Sequence, residues 1–501
     1  MIKTDMNRVA RLMLATSVMG LSAGTALGKT KSTEPVEATT EVVVVGVRKS
    51  LAASRDLKRD DARVIDAIVA EDIAQFPQKN MAEALQRVSG VQLRRDFAGG
   101  VGNEISLRGL SPDYTAVTLN GQAAPSGADS RSFNFNTLPA ELFRSVEVSK
   151  SPNARTDEGG IGGMVSLETL RPADLRGRKA VLTLEGTHNG ITDKTSPRGT
   201  LVVGNTGERL SWVAGLAYSE FDAASQSYDA VRWRQRSYKL GTQSYDKVWL
   251  MDLPRYIHEQ QSVERLALTL AGQFVVSPDF KLMADAVVVQ NNQDYTRNSP
   301  IYFFDGATGL KDISVKDGIV EYASFGDVRF QAEDLYGTRE TETRALRLRG
   351  DYQLGTLKFN PFVTVSDSQF EQTDLRYFAD VRGPAAYDIR QDDDYFTITS
   401  PIDVTSTKGM LVRQARRFLS KTVDREAAAG LDLTWSVSET LKAEFGFKLR
   451  DRSKTRDRFE VTRSGINQPF EPVSKVLTGF LSDEGRAKGP NSFVVFDPDL
   501  A

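Results

Sequence analysis

From about residue 180 onward, apolar positions recur at every second residue, the period of a β-strand with two unlike faces. In 264–276, Leu266, Leu268, Leu270, Phe274 and Val276 share one face, and Ala267, Thr269, Ala271 and Gln273 the other. In 342–354, Leu346, Leu348, Tyr352 and Leu354 oppose Arg347, Arg349, Asp351 and Gln353. In 441–450, Leu441, Ala443, Phe445, Phe447 and Leu449 oppose Lys442, Glu444, Lys448 and Arg450, with shorter faces at 210–218, 280–288 and 427–437. A soluble antiparallel sandwich alternates in the same way, so the connections must decide. Tight turns fall at 204–209, 277–280, 354–356 and 436–440, and long polar segments at 220–262, 291–341 and 367–424. Alternating short and long connections belong to an outer-membrane barrel, and a compact soluble domain rarely holds repeated structureless loops of that length. The pattern predicts a transmembrane antiparallel β-barrel over 178–501, with about nine strands before the sequence stops. Single-chain bacterial barrels have even strand numbers, so an odd count predicts the N-terminal part of a barrel, truncated at its C-terminal side.

Residues 60–172 follow another pattern. In NMAEALQRVSG (80–90), Asn80 is placed as a helix cap with Glu83 three residues on, Met81, Ala84, Leu85 and Val88 form one face, and Gly90 is the stop. Short strands with glycine turns follow: VQLRRD, EISLRGL, YTAVTLNGQ, RSVEVSK and GGMVSLETL. This predicts a small α/β domain ahead of the barrel.

The ends and the composition set the compartment. Lys3, Arg8 and Arg11 precede an apolar and small-residue run from Leu12 to Leu27, and Ala26-Leu27-Gly28 offers small residues at the −3 and −1 positions, which predicts a signal peptide over 1–28. The run is broken by Thr16, Ser17, Gly20 and Ser22, and a spanning helix needs about 20 predominantly apolar residues. The 501-residue chain has a net charge of −2, so no global field points to nucleic acid. It holds no cysteine and two histidines, His188 and His258, which excludes disulfides, thiol catalysis and Cys/His zinc sites. Residues 29–59 read as a polar tether carrying one strand-prone run, Val42, Val43, Val44 and Val45, closed by Gly46.

The stretches AEALQRVSGVQL, ISLRGL (105–110), VTLNGQ (117–122), LPAELFRSVEVSKSPNA (138–154) and GGIGGMVSLET (159–169) resemble, in order and spacing, the plug of TonB-dependent outer-membrane receptors. The wording around FNFNTLPAELFRSVEVSKSPNARTDEGGIGGMVSLETLRPAD resembles a subfamily whose members mostly import carbohydrates, although Lys150-Ser151 stands where many members have Arg-Gly. The resemblance implies active transport of a scarce solute from the Gram-negative cell surface, with outer-membrane lipid around the barrel and a TonB-type energy-coupling protein as partner. It implies that Val42–Gly46 is the TonB box, captured by strand addition, which demands extended propensity more than particular side chains. It further implies that Arg108 meets acidic residues of the barrel wall and, with Glu147, holds plug and barrel together. The glycines Gly159, Gly160, Gly162 and Gly163 allow the sharp reversal of a plug strand packed inside a barrel.

Candidate ligand contacts are the plug loop with Arg131, Phe133 and Phe135, and an aromatic external segment with Tyr228, Trp233, Tyr245 and Trp249, whose ring faces suit sugar stacking as well as a headgroup girdle. GGIGGM does not satisfy GxGxxG, and Gly28-Lys29-Thr30 lacks the first glycine of a phosphate loop. Neither histidine has a nucleophile or acid beside it in sequence, and RQDDDY (390–395) reads as a solvated loop before a calcium site. The expectation is a non-enzyme without catalytic residues, metal or cofactor, importing a carbohydrate. The alternatives are a siderophore-iron or vitamin receptor, an inactive fragment, a passive pore or a barrel hydrolase.

Overall fold

Two-residue and other short turns oblige neighbouring strands to pair antiparallel, and the wall of this protein is built almost wholly that way. The computed structural model describes residues 50–61, 63–70, 81–95, 102–128, 130–175, 177–390, 396–478 and 492–500. The signal segment, Val42–Gly46, the Asn80 cap and most of RQDDDY lie outside the described residues. Residues 50–59, expected as tether, are helical, and the helix runs on to residue 60.

The N-terminal unit contains β1 (Ile65–Val69), β2 (Val91–Arg95), β3 (Gly102–Leu107), β4 (Thr115–Leu119), β5 (Gln122–Ala123), β6 (Phe143–Ser149) and β7 (Gly163–Thr169). Five of these form a sheet in the order β1-β6-β7-β4-β5, and β2 pairs with β3 separately. The β4–β7 contact is parallel and the other pairs are antiparallel. The helix is a single turn and a half, Met81–Leu85, burying Met81, Ala82, Ala84 and Leu85.

The wall comprises β8 (Arg178–Asn189), β9 (Lys194–Asn205), β10 (Leu210–Ala230), β11 (Trp233–Leu240), β12 (Gln243–Met251), β13 (Pro254–Ser277), β14 (Phe280–Lys316), β15 (Ile319–Leu354), β16 (Leu357–Asp388), β17 (Thr397–Thr399), β18 (Leu411–Ser436) and β19 (Lys442–Pro469). Its continuous path is β19-β18-β16-β15-β14-β13-β10-β9-β8, nine strands, with β11, β12 and β17 off the path. The tight turns fall where the sequence places them: β9 ends at Asn205 before Leu210, β13 at Ser277 before Phe280, β15 at Leu354 before Leu357, and β18 at Ser436 before Lys442.

The two faces separate as the alternation requires. Leu268, Leu270 and Phe274 of β13 are exposed, as are Leu346, Leu348 and Leu354 of β15, and Phe445, Phe447 and Leu449 of β19. Ala267 and Ala271 of β13, Val287 and Val289 of β14 and Ala345 of β15 point the other way and join the core of the N-terminal unit around Leu142, Phe143, Val165 and Leu167. One face therefore offers lipid an apolar band, while the other uses small residues to let a second unit pack close. Among the described residues no helix is long and apolar enough to cross a membrane.

The long polar segments are a correction to the sequence reading. They are mostly strand, although 400–410 is irregular: β14 runs for 37 residues and β15 for 36, whereas a membrane-crossing strand needs about 9–11. The extensions persist because a second core covers them. Tyr256, Tyr302, Phe304 and Phe330 cluster there with Phe470, Phe493 and Phe496. By register Tyr302 opposes Phe330, and Phe330 shares its face with Leu346 and Leu348, so this core lies on the outward face, beyond the apolar band. A small sheet of β20 (Ser474–Thr478) and β21 (Ser492–Phe496) supplies part of it.

Candidate functional site

Charged and polar side chains meet along the seam between the N-terminal unit and the inward face of the wall. Along β9 the inward position Arg198 forms an ion pair with Glu141, which is 8 % exposed. On β13, Arg265 donates to the Asn136 Oδ1 at 3.1 Å. On β15, Arg347 donates to the backbone carbonyl of Asn120. Asp424 of β18 accepts from the Ser126 N–H at 3.1 Å. On β19, Lys448 meets Asp157 at 2.6 Å, Arg450 lies 3.5 Å from the same carboxylate, and Lys454 donates to the Ser130 carbonyl at 2.7 Å. At the rim, Arg155 pairs with Glu444 at 2.7 Å. Most of these contacts are made by wall cations to acids and carbonyls of the inner unit.

This reverses the expected polarity. Arg108 sits in the left-handed region at φ 56, exposed, in the turn after β3, and no ion pair to its side chain is found among the described residues. A flexible cation there stays in water and needs no acidic wall. Glu147 belongs to β6, whose partners are β1 and β7. Its nearest cation is Arg63, at 3.9 Å within the same unit, and burial pushes its carboxyl up, with Glu168 adding to the shift. The coupling contacts instead come from Glu141, Asn136, Asn120 and Asp157. A period-two reading gives the face of Arg198, Arg265 and Arg347, but not the height at which each meets the inner unit.

The glycine turn does what its composition demands. Gly159 and Gly163 take φ values of 107 and 138, and a Cβ on Gly163 would lie 2.6 Å from the Ser149 carbonyl oxygen. Gly160 and Gly162 lie between them, and a Cβ on Gly160 would come within 2.7 Å of the Gly163 carbonyl oxygen. The turn brings Asp157 to β19 and starts β7 beside β4.

The candidate ligand residues divide. Phe133 and Phe135 pack edge to face at 5.1 Å and are buried in the core, where they hold the 126–136 loop, and Phe133 also lines both clefts beside that loop. Arg131 is exposed. It lines a cleft of about 380 Å³ with Asp113, Asp157, Glu158, Arg450, Arg452 and Lys454. A second cleft of about 290 Å³ lies between the 125–137 loop and inward wall residues Asn291, Gln293, Arg339, Ser368 and Phe370. In the β11–β12 hairpin Trp233 pairs with Met251 and Gln235 with Trp249, which puts both tryptophans on one exposed face. Tyr228 instead packs edge to face on Tyr256 and Phe396, and Tyr245 joins the outer core. The hairpin is fastened by Arg232 to Asp252 at 2.6 Å and Arg236 to Asp305 at 2.5 Å, and these arginines hold the Asp305 carboxyl below its ordinary value against the effect of burial. Among the described residues no group of acids and histidines is placed to hold a metal ion.

Residues 58–164, which hold most of the small sheet and its glycine reversal, match the TonB-dependent Receptor Plug Domain family. The match covers most of the N-terminal unit and none of the wall strands. The chain is similar in sequence to the ferric enterobactin receptor PirA of Pseudomonas aeruginosa, 28% identical over 204 residues, or 37% of this chain and 27% of that protein. The probable TonB-dependent siderophore receptor PirA of Acinetobacter baumannii is 26% identical over 179 residues, 33% of this chain and 24% of its own length. The shared stretch thus spans about a quarter of each of these curated relatives. Among solved structures, a ferric enterobactin receptor (PfeA) mutant of Pseudomonas aeruginosa aligns over 80% of this chain and 72% of its own, at 12% identity and a TM-score of 0.36.

Proposed function

We propose that this chain belongs to an outer-membrane transporter that binds a scarce solute at the cell surface and moves it inward when a TonB-type protein pulls on the plug. The observation that carries this reading is the seam. A plug domain is held in the wall by separable hydrogen bonds and ion pairs, together with contacts to small inward residues such as Ala267 and Ala345. A passive pore has no use for such a stopper. The handle in this reading is the Val42–Gly46 run of the tether, offered to the partner as an unpaired strand.

A ferric siderophore is the ligand class we favour over the carbohydrate expected from the sequence. Support comes from the relatives, which are named for ferric enterobactin and siderophores. The exposed pair Trp233 and Trp249 keeps a carbohydrate as the second reading, since two indole faces on one side of a hairpin suit stacking on sugar rings. The test is uptake of a radioiron-labelled siderophore and of a labelled oligosaccharide by cells carrying the full-length gene, with and without a proton gradient. Gradient-dependent iron uptake supports the proposal, and uptake of either solute that ignores the gradient overturns it.

A further inference from the structure

On its outward face the wall changes character between the apolar band and the second core. One cross-strand row above the band, Glu264, Asn292, Glu340 and Glu371, carries three acids. The next row, Ser262, Asp294, Thr338 and Thr373 on β13 to β16, carries one, and the row after it, Gln260, Thr296 and Tyr336, carries none. Charged side chains dominate purely solvated faces, and here hydroxyls and an amide replace them. Among the described residues the side chains of Gln260, Ser262, Thr296, Thr338 and Thr373 make no hydrogen bond within the protein, so their donors and acceptors are available. Nor are these rows an open wall. The Tyr336 hydroxyl donates to the Phe496 carbonyl at 2.5 Å, Lys475 holds Asp497 at 3.4 Å, and Pro498 and Asp499 form the opposite side of a groove of about 570 Å³. Lys194 and Asp222, paired at 3.2 Å, stand at its β9–β10 end. With strands about 4.8 Å apart, the floor from Asp222 on β10 to Thr373 on β16 is roughly 19 Å long.

We propose that this groove binds a neutral oligosaccharide from outside the wall. Sugar hydroxyls donate and accept at once, and so do the Ser and Thr hydroxyls and the Gln260 amide along the floor. The half-buried Tyr336 ring adds an apolar surface against which a sugar face can rest. Asp222, Asp294 and Asp499 outnumber Lys194 around the groove, which disfavours a phosphorylated or carboxylated glycan. Two sources share this chemistry: a glycan carried by a lipid beside the wall, whose sugars would lie just above the apolar band, and a free saccharide. The groove lies on the opposite face of the wall from the seam, so it is independent of the transporter reading.

The experiment uses the full-length protein in detergent micelles on an array carrying linear neutral hexose oligosaccharides and lipopolysaccharide glycans freed of their lipid. Wild type is expected to bind, and the paired substitution Thr296→Val with Thr338→Val to weaken binding about tenfold, because two hydrogen bonds are lost with little change of shape. Thr455→Val makes the same change on the outward face of β19, away from the groove, and is expected to stay within about twofold of wild type. Circular dichroism and heat-modifiable migration check that each variant is folded. Ser262→Ala, expected to weaken binding about threefold, reads the same floor if the paired variant does not fold. Binding confined to the delipidated glycans assigns the groove to the surrounding lipid, and binding of the hexose chains assigns it to a free saccharide. Absence of binding by wild type overturns the groove, as does equal binding by wild type and the paired variant or an equal loss in Thr455→Val. Gradient-dependent uptake in cells should be the same for wild type and the paired variant, and its absence in both would count against the transporter alone.

Discussion

Asp334 shows how one side chain can tie an outer segment to the wall. It lies on β15 well beyond the apolar band, 1 % exposed, and accepts the Phe496 N–H at 2.8 Å and the Asn298 amide at 2.6 Å. Burial pushes its carboxyl up to about 7, although both hydrogen bonds oppose the shift. An unfolded aspartate titrates near about 3.9, so between roughly pH 4 and 7 the folded state holds a proton that the unfolded state has lost. Stability must then fall as pH rises through that window, by at most about 1.4 kcal/mol per pH unit, and level off above it. Limited proteolysis of the 492–496 strand should therefore be slower at pH 5 than at pH 8, and Asp334→Asn should flatten the difference. A pH response that survives Asp334→Asn would assign the effect to another group.

Residue identity also decides the plug turn. Replacing Gly163 by alanine puts a methyl 2.6 Å from one carbonyl oxygen and 2.8 Å from the Leu107 side chain, at a φ of 138 that L residues rarely adopt. The expected loss is of order 3 kcal/mol of plug stability, read as a lower melting temperature of the full-length protein. Gly272 is the contrast: no atom lies within 4 Å of its added Cβ, so Gly272→Ala should change little.

At the scale of elements, the valine run of the tether and the wall strands pose different problems. The Val42–Gly46 run has composition and position as its argument, and strand addition depends on backbone hydrogen bonds. Val44→Pro removes one N–H and fixes φ, so it should abolish gradient-driven uptake while leaving the affinity for solute unchanged. Uptake at the wild-type rate would remove the assignment. The wall turns were legible because Gly, Asn, Ser and Asp interrupt strict alternation at 204–209, 277–280, 354–356 and 436–440. The extensions of β14, β15 and β16 were not, because their outward residues mix Tyr, Phe and Ala with Asn, Asp and Thr. Periodicity reads such a face as solvent-exposed, and only the distant segments carrying Phe470, Phe493 and Phe496 turn it into a core. For the same reason the burial of Phe133 and Phe135 was not legible: their neighbours Ser130, Ser132, Asn134 and Asn136 are polar, and the core that buries both rings is assembled from remote elements.

For the whole molecule the proposed transport asks how a plug can be firmly seated and still movable. The apolar part of the seam uses small wall residues, Ala217, Ala267, Ala271 and Ala345, which allow close approach without deep interlocking. The polar part is graded. Arg155 and Glu444 are each about half exposed, and such a pair contributes about 0–1 kcal/mol. Glu141 and Arg198 are far less exposed, at 11 % and 14 % of their side chains, and removing one partner of a buried pair costs about 3–5 kcal/mol because the other charge stays buried and unmatched. The release point under load should therefore be the β9 contact. In planar bilayers, full-length protein with Glu141→Gln should open more often when a pulling force or mild denaturant is applied, whereas Glu444→Gln should behave as wild type. Adding Arg198→Gln to Glu141→Gln should recover part of the loss, since the stranded charge is then gone. If Glu141→Gln and Glu444→Gln open the channel equally, burial does not set the strength of the seam, and the plug is held by its apolar contacts alone.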